Sequence, residues 1–207
     1  MKVIVISDTH TQHRKLGRLK GDVLVHCGDI EMGMGKDVDV IADLDEWFGT
    51  LDFNLILVTG GNHDFGLRQL LRKPTPPFKN AVFLCDQTVK SKGVIFHGSP
   101  WVPALSSWEF HADREDRQKA WAKIPMDCDV LITHTPPHGM LDTSRSRKGL
   151  GCPFLLDRVS KVSPKYHLFG HIHNSRGKTE FNGTTFVNAT SVNSQYELVH
   201  MPFEVKL

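Results

Sequence analysis

The chain has 207 residues, 40% hydrophobic and 23% charged, with a formal net charge of +2. That length suits one domain over residues 1–207 with a substantial buried core, and the composition excludes disorder and low complexity. The near balance of charge gives no overall pull toward nucleic acid or a membrane surface. Cys27, Cys85, Cys128 and Cys152 show neither the Cys-x-x-Cys spacing of a thiolate metal site nor the crowding of a disulfide scaffold.

The amino terminus, MKVIVISDTH, is apolar only over Val3–Ile6. That is too short for a signal h-region or a bilayer span, so a cytoplasmic protein is expected. Val3–Ile6, Val23–His26 and Leu55–Val58 are short β-branched runs that suit strands buried on both faces. Between the second and third, residues 37–48 place Val38, Ile41, Leu44, Trp47 and Phe48 at helical spacing. Repeated crossovers of this kind give parallel strands in an α/β fold. Pro74, Pro76 and Pro77 mark a loop. Strands are predicted at Ala81–Leu84, Val94–His97, Asp129–Thr133 and Tyr166–Phe169, with helices over His111–Lys123 and Pro153–Val162. In the tail, Thr184–Val187 and Glu197–Val205 read as hairpin-like strands.

The strand ends carry the chemistry. Asp8-Thr-His10 follows the first strand, Gly28-Asp29 the second and Gly61-Asn-His-Asp64 the third. His134 closes the strand at Asp129–Thr133, and Gly170-His-Ile-His173 follows Tyr166–Phe169. In open α/β sheets, ligands bind beyond the carboxyl ends of the strands, where such loops gather. If the extended backbone persists, Asp8 and His10 point to one side, as do His171 and His173. Each segment alone also suits an ordinary polar turn. Together, strands ending at Ser7, His26, Val58, Thr133 and Phe169 all deliver Asp, Asn or His, which independent turn chemistry would rarely choose. The donors are nitrogen and oxygen without sulfur, a set that suits Mn, Fe, Zn, Ni or Co rather than a structural cysteine-zinc site.

In order and approximate spacing, these five motifs resemble the calcineurin-like metallophosphoesterases over residues 8–173. GSPW at Gly98–Trp101, THTPPHGMLD at Thr133–Asp142 and FVNAT at Phe186–Thr190 are similar to the compact metallophosphoesterase-domain-containing, UPF0046-type branch. The resemblance implies a four-layer α/β/β/α sandwich of two mixed β-sheets flanked by helices. It also implies two divalent metal ions, manganese first among the candidates. Asp8, His10, Asp29 and His173 would hold one ion, and Asp29, Asn62, His134 and His171 the other, with Asp29 as the bridge. A hydroxide between the ions would attack phosphorus in line. His63 would stabilise the transition state or protonate the leaving oxygen, and Asp64 would fix the His63 tautomer.

The expected reaction is hydrolysis of a small nucleotide-type or cyclic-nucleotide diester, since nothing resembles a dedicated nucleic-acid module. A phosphomonoesterase or nuclease of the same fold, or a non-catalytic metal-binding scaffold, stays open as an alternative. His97 and His138 lie beside family-like motifs as candidates to line the pocket. The basic cluster Arg145, Arg147 and Lys148 is either a steering patch for an anionic substrate or a solvated loop.

Overall fold

A computed structural model describes residues 1–33, 38–103, 105–147 and 149–207. Position 37, at the start of the first predicted helix, and Lys148 of the basic cluster lie outside the described residues. The strands run β1 (Lys2–Ile6), β2 (Val23–His26), β3 (Leu55–Val58), β4 (Val82–Phe83), β5 (Gln87–Ser91), β6 (Val94–Ser99) and β7 (Val130–Thr133), then β8 (Tyr166–Phe169), β9 (Gly177–Phe181), β10 (Thr184–Asn188) and β11 (Phe203–Lys206). The helices are α1 (Val38–Gly49), α2 (Phe65–Leu70), α3 (Arg114–Ala122) and α4 (Pro153–Val162).

One sheet has the order β11-β1-β2-β3-β4 and the other β5-β6-β7-β8-β10-β9. In the first, β1 to β4 are parallel and only β11 is antiparallel. In the second, β6, β7, β8 and β10 are parallel, with β5 and β9 as antiparallel edges. Alternation along each strand divides the apolar side chains between two layers. Val3, Val5, Val23, Val25 and Leu57 pack against Phe96, Val130, Ile132, Leu168 and Val187 between the sheets. Ile4, Ile6 and Leu24 pack outward against Ile41, Leu44, Trp47 and Phe48 of α1. On the far side, Leu131, Phe169 and Phe186 meet Trp121 of α3 and Leu155 and Val159 of α4. The result is the α/β/β/α sandwich of two mixed sheets.

Several elements depart from expectation. α2 has only six residues and follows immediately on the Asn62–Asp64 loop, so its helical period is too short to register in the sequence. β5 is a largely exposed edge strand without an apolar face, and it pairs antiparallel with β6. The two tail strands do not form a hairpin with each other: β10 pairs with β9, and β11 crosses to pair with β1 in the other sheet. Among the described residues, no helix is long and apolar enough to cross a membrane.

Candidate metal centre

Every predicted site residue sits in a loop that leaves the carboxyl end of a parallel strand. Backbone bonds lock these loops together. Asp8 N–H donates to the Gly28 carbonyl at 2.9 Å, His10 N–H to the Asp29 carbonyl at 3.2 Å, and Gly170 N–H to the His134 carbonyl at 3.1 Å. The last of these lies in the second sheet, and the bridge between Ser7 and Thr190 ties it to the first.

The backbone does not stay extended. Asp8, His10, Asp29 and His171 have φ of 52°, 41°, 55° and 68°, in the left-handed region where Asp and His are tolerated better than most residues. The paired side chains therefore converge through tight reversals rather than strand alternation. At His171 the reversal aims the backbone N–H at the Asp8 carboxylate, 3.1 Å from Oδ1 and 3.2 Å from Oδ2.

Two three-residue clusters result, Asp8–His10–His173 and Asp29–His134–His171, each with one donor atom per residue within 4.8 Å of the others. The histidines of Gly170-His-Ile-His173 thus divide between the clusters. Asp29 joins them: its Oδ2 lies 3.2 Å from His134 Nε2 and 3.9 Å from His10 Nε2. Asn62 Oδ1 lies 3.1 Å from His134 Nε2, which adds an amide oxygen to the second cluster.

The donor set suits divalent metal ions on a specific observation. His10 Nδ1 lies 2.7 Å from the Glu31 carbonyl, and a carbonyl can only accept, so Nδ1 carries the proton. Nε2 is then a bare lone pair, buried and without a hydrogen-bond partner among the described residues. His134 Nδ1 meets the Cys27 carbonyl at 2.8 Å and His173 Nδ1 the Asn193 carbonyl at 3.2 Å, so both also present Nε2 inward. Such carbonyl anchoring fixes the tautomer and orientation that a metal ligand needs.

Each cluster combines a low-pKa carboxylate, a neutral imidazole and a proton-binding imidazole. Burial alone would raise the Asp8 and Asp29 carboxyls, but His173 holds Asp8 low, and His134, with His63 and His10, holds Asp29 well below the usual range. Burial lowers His10, and burial with the neighbouring His134 takes His171 down to about 4. Burial would lower His134 too, but Asp29 and Asp8 overcome it and push the imidazole up to about 9. Asp8 likewise outweighs burial at His173 and raises it.

His63 stands beside the clusters, with Nε2 4.0 Å from Asp29 Oδ2 and its ring 4.8 Å from His10. Its orientation comes from elsewhere than expected. Nδ1 faces the Met32 carbonyl at 2.8 Å, and the ring packs at 4.4 Å against Trp108. Asp64 does not fix the His63 tautomer, because its carboxylate accepts from the backbone N–H groups of Asp29, Ile30, Glu31 and Gly61 at 2.7 to 3.0 Å. It pins the Asp29 loop to the His63 loop. Burial, with Asp29 and Glu31 nearby, pushes this carboxyl up, against four N–H donors that favour its ionised form.

A groove of about 320 Å³ opens over Asp29, Asn62, His63, His171 and His173, walled by Trp108 and Tyr196. His97 does not line it; the ring is buried in β6 with Nδ1 2.9 Å from Thr88 Oγ1. His138 is exposed and faces Asp142 at 3.8 Å, also away from the groove. Arg145 and Arg147 are exposed, and neither lines the groove. Trp108 and Tyr196 were invisible to pattern reading, since each lies in an irregular segment with no periodicity to mark it.

A family model described as calcineurin-like phosphoesterase matches residues 1–175. Human metallophosphoesterase domain-containing protein 1 is 32% identical over 233 aligned residues, covering 100% of this chain and 71% of the human protein. A UPF0046 protein of Caenorhabditis elegans is 35% identical over 217 residues, covering 98% of this chain and 73% of its own length. Among solved structures, phosphopantetheinyl hydrolase (PptH) from Mycobacterium tuberculosis shares the fold, with a TM-score of 0.62 at 14% identity over 94% of this chain and 90% of that one. The chain belongs to the calcineurin-like phosphoesterase family, a family of metal-dependent phosphoric ester hydrolases.

Proposed function

We propose that the protein is a cytoplasmic phosphodiesterase that cleaves small nucleotide-type diesters with two divalent ions, Mn²⁺ first among Mn, Fe, Zn, Ni and Co. The composition of the groove carries this reading. Its described lining residues include two aromatic side chains, Trp108 and Tyr196, and neither lysine nor arginine. Aromatic walls offer stacking surface to a nucleobase. A groove without lysine or arginine to supplement the ions suits the single negative charge of a diester better than the dianion of a monoester. A panel with Mn²⁺ comparing a phosphomonoester, an acyclic diester and 3′,5′ and 2′,3′ cyclic nucleotides tests it. A diester or cyclic nucleotide should be cleaved fastest, and a monoester at the head of the ranking would sink the proposal.

Asp8, His10, Asp29 and His173 would hold one ion, and Asp29, Asn62, His134 and His171 the other. When bound, the ions supply Lewis acidity toward phosphoryl oxygens and lower the pKa of water. His63, with Nδ1–H committed to Met32, keeps Nε2 directed into the site, where it can carry a proton for the leaving oxygen. Trp108 holds the ring in that orientation.

His63→Ala should lower kcat by about 100-fold or more. Metal content should stay near wild type, because His63 is not among the proposed ligands and its backbone N–H, which positions Asp29 Oδ1 at 2.8 Å, is retained by alanine. Undiminished turnover with normal metal content would remove His63 from the chemistry.

The metal-free site holds protons where the ions would sit. His134, pushed up to about 9, is protonated at pH 7, and Asp8 raises the neighbouring His173. Since ligands must be deprotonated, metal binding at pH 7 should release about one proton per chain from His134, and progressively fewer as pH passes about 9. Titration calorimetry in buffers of different ionisation enthalpy measures this; heats independent of buffer at pH 7 would contradict it.

A further inference from the structure

A second cavity, of about 340 Å³, shares a wall with the groove: His173, Asn174 and Ser194 line both. The two differ in charge. The groove contains Asp29 and no lysine or arginine among its described lining residues. The second cavity contains Arg145, Arg176 and His200 and no carboxylate among its described lining residues.

Arg176 is held rigidly. Its guanidinium lies over the Phe203 ring, 4.1 Å from the centroid. Nη1 donates to the Thr190 carbonyl at 2.9 Å and Nη2 to the Met201 carbonyl at 2.7 Å. The other donors of the fork have no acceptor among the described residues. Arg145 rides on a turn closed by the bond from Ser144 N–H to the Arg147 carbonyl at 2.8 Å. Ser175 Oγ tethers that turn to the metal-ligand loop, donating to the Thr143 carbonyl at 2.5 Å. Among the described residues, no carboxylate or carbonyl pairs with the Arg145 guanidinium. The His200 imidazole is lowered by burial and by Arg176, as expected where positive charge already predominates.

We propose that this cavity binds a second phosphate of the substrate, a terminal phosphomonoester on the molecule whose diester lies over the metal ligands. The inference rests on the phosphodiesterase reading and narrows it to a nucleotide diester bearing an additional phosphate. Two guanidinium forks beside Asn193 and Ser194 offer the charge-assisted donors that a dianion needs. The groove has neither lysine nor arginine among its described lining residues. Inorganic phosphate has the same chemistry, so the test must separate the two sources.

The Mn²⁺-loaded protein is assayed with thymidine 5′-(p-nitrophenyl phosphate) and with its 3′-phosphorylated counterpart. The 3′-phosphate should raise kcat/KM by about tenfold or more, through KM. Arg145→Ala should remove most of that preference, and Arg145→Lys should restore part of it. In a separate measurement on the zinc-loaded full-length protein, inorganic phosphate should shift the His200 ring NMR signals, and Arg145→Ala should weaken the shift. Equal kcat/KM for the two diesters with His200 unmoved by phosphate overturns the proposal. A His200 response without any diester preference makes the cavity a site for free phosphate and overturns its assignment to substrate. If neither diester is cleaved, the reaction reading fails instead, and His200 alone decides: a response upholds the anion site, and its absence overturns it.

Discussion

Asp29→Asn is expected to empty both metal clusters together rather than one. The two Asp29 oxygens have separate duties. Oδ1 accepts the His63 N–H at 2.8 Å, and Oδ2 faces the Nε2 atoms of His134, His10 and His63 at 3.2, 3.9 and 4.0 Å. An asparagine that keeps the first bond must turn its NH₂ toward three imidazole nitrogens. An amide nitrogen is no metal ligand, and its hydrogens repel the proton that His134 carries. If the amide flips, its oxygen faces the imidazoles and the His63 N–H loses its acceptor in a buried site. Metal content measured after gel filtration should therefore fall at both sites, and turnover should fall further than in His63→Ala. Full occupancy of both sites would contradict the bridging role.

The same substitution has a consequence in the metal-free protein. Without Asp29, burial controls His134, and its pKa should drop from about 9 to below its ordinary 6.5. A group raised on folding contributes stability that is fully present below the unfolded pKa and lost as pH rises through the folded one. The part of the stability that His134 contributes, about 3 kcal/mol at pH 6, should therefore be missing from Asp29→Asn, and the gap to wild type should narrow by that amount between about pH 6.5 and 9. Denaturant melts across that range measure it. A stability difference independent of pH would place the Asp29–His134 pairing outside the balance.

Much of this was legible in the sequence because the fold buries its central strands on both faces. Val3–Ile6 and Leu55–Val58 are continuous apolar runs for that reason, Val23–His26 and Tyr166–Phe169 are apolar apart from the buried His26 and His167, and their abrupt polar endings mark the edge where ligand-type residues gather. The elements that escaped lack such a constraint. β5 is exposed and polar, α2 is shorter than two helical turns, and the partner of β11 is set by tertiary packing across the chain. The i, i+2 argument for Asp8 and His10 predicted proximity for the wrong reason: left-handed residues, not strand alternation, bring the side chains together. Asp64 shows the other limit. Its place beside His63 in sequence suggested a catalytic partner, but its carboxylate turns back to collect N–H groups from a loop more than thirty residues away. Sequence adjacency cannot report where a side chain points.

Gly170→Ala should be nearly as damaging as Asp29→Asn although it removes no functional group. A Cβ at this position would lie 2.0 Å from Asp8 Oδ2 and 2.1 Å from Ser7 Oγ, both on fully buried residues. Neither neighbour has room to withdraw. Ser7 is fixed by its bridge to Thr190, and Asp8 by the His171 N–H and by His173 Nε2 at 3.3 Å. The added methyl must therefore push Asp8 out of the first cluster or push the strand end carrying His171 and His173 away from it. Overpacking of this kind costs about 3 kcal/mol at the upper end of its usual range, equivalent to a fall in Tm of about 6 to 12 °C for a domain of this size. Because Asp8 holds the His171 backbone and His171 belongs to the second cluster, metal loss should extend to both ions. Gly61→Ala is the matching test from the first sheet, with its Cβ 2.3 Å from Asp29 Oδ1 and 2.8 Å from His134 Cε1. Alanine variants that keep wild-type Tm and metal content would show that the strand ends have slack, whereas the close contacts require that only a glycine lets the two sheets bring their ligands to one point.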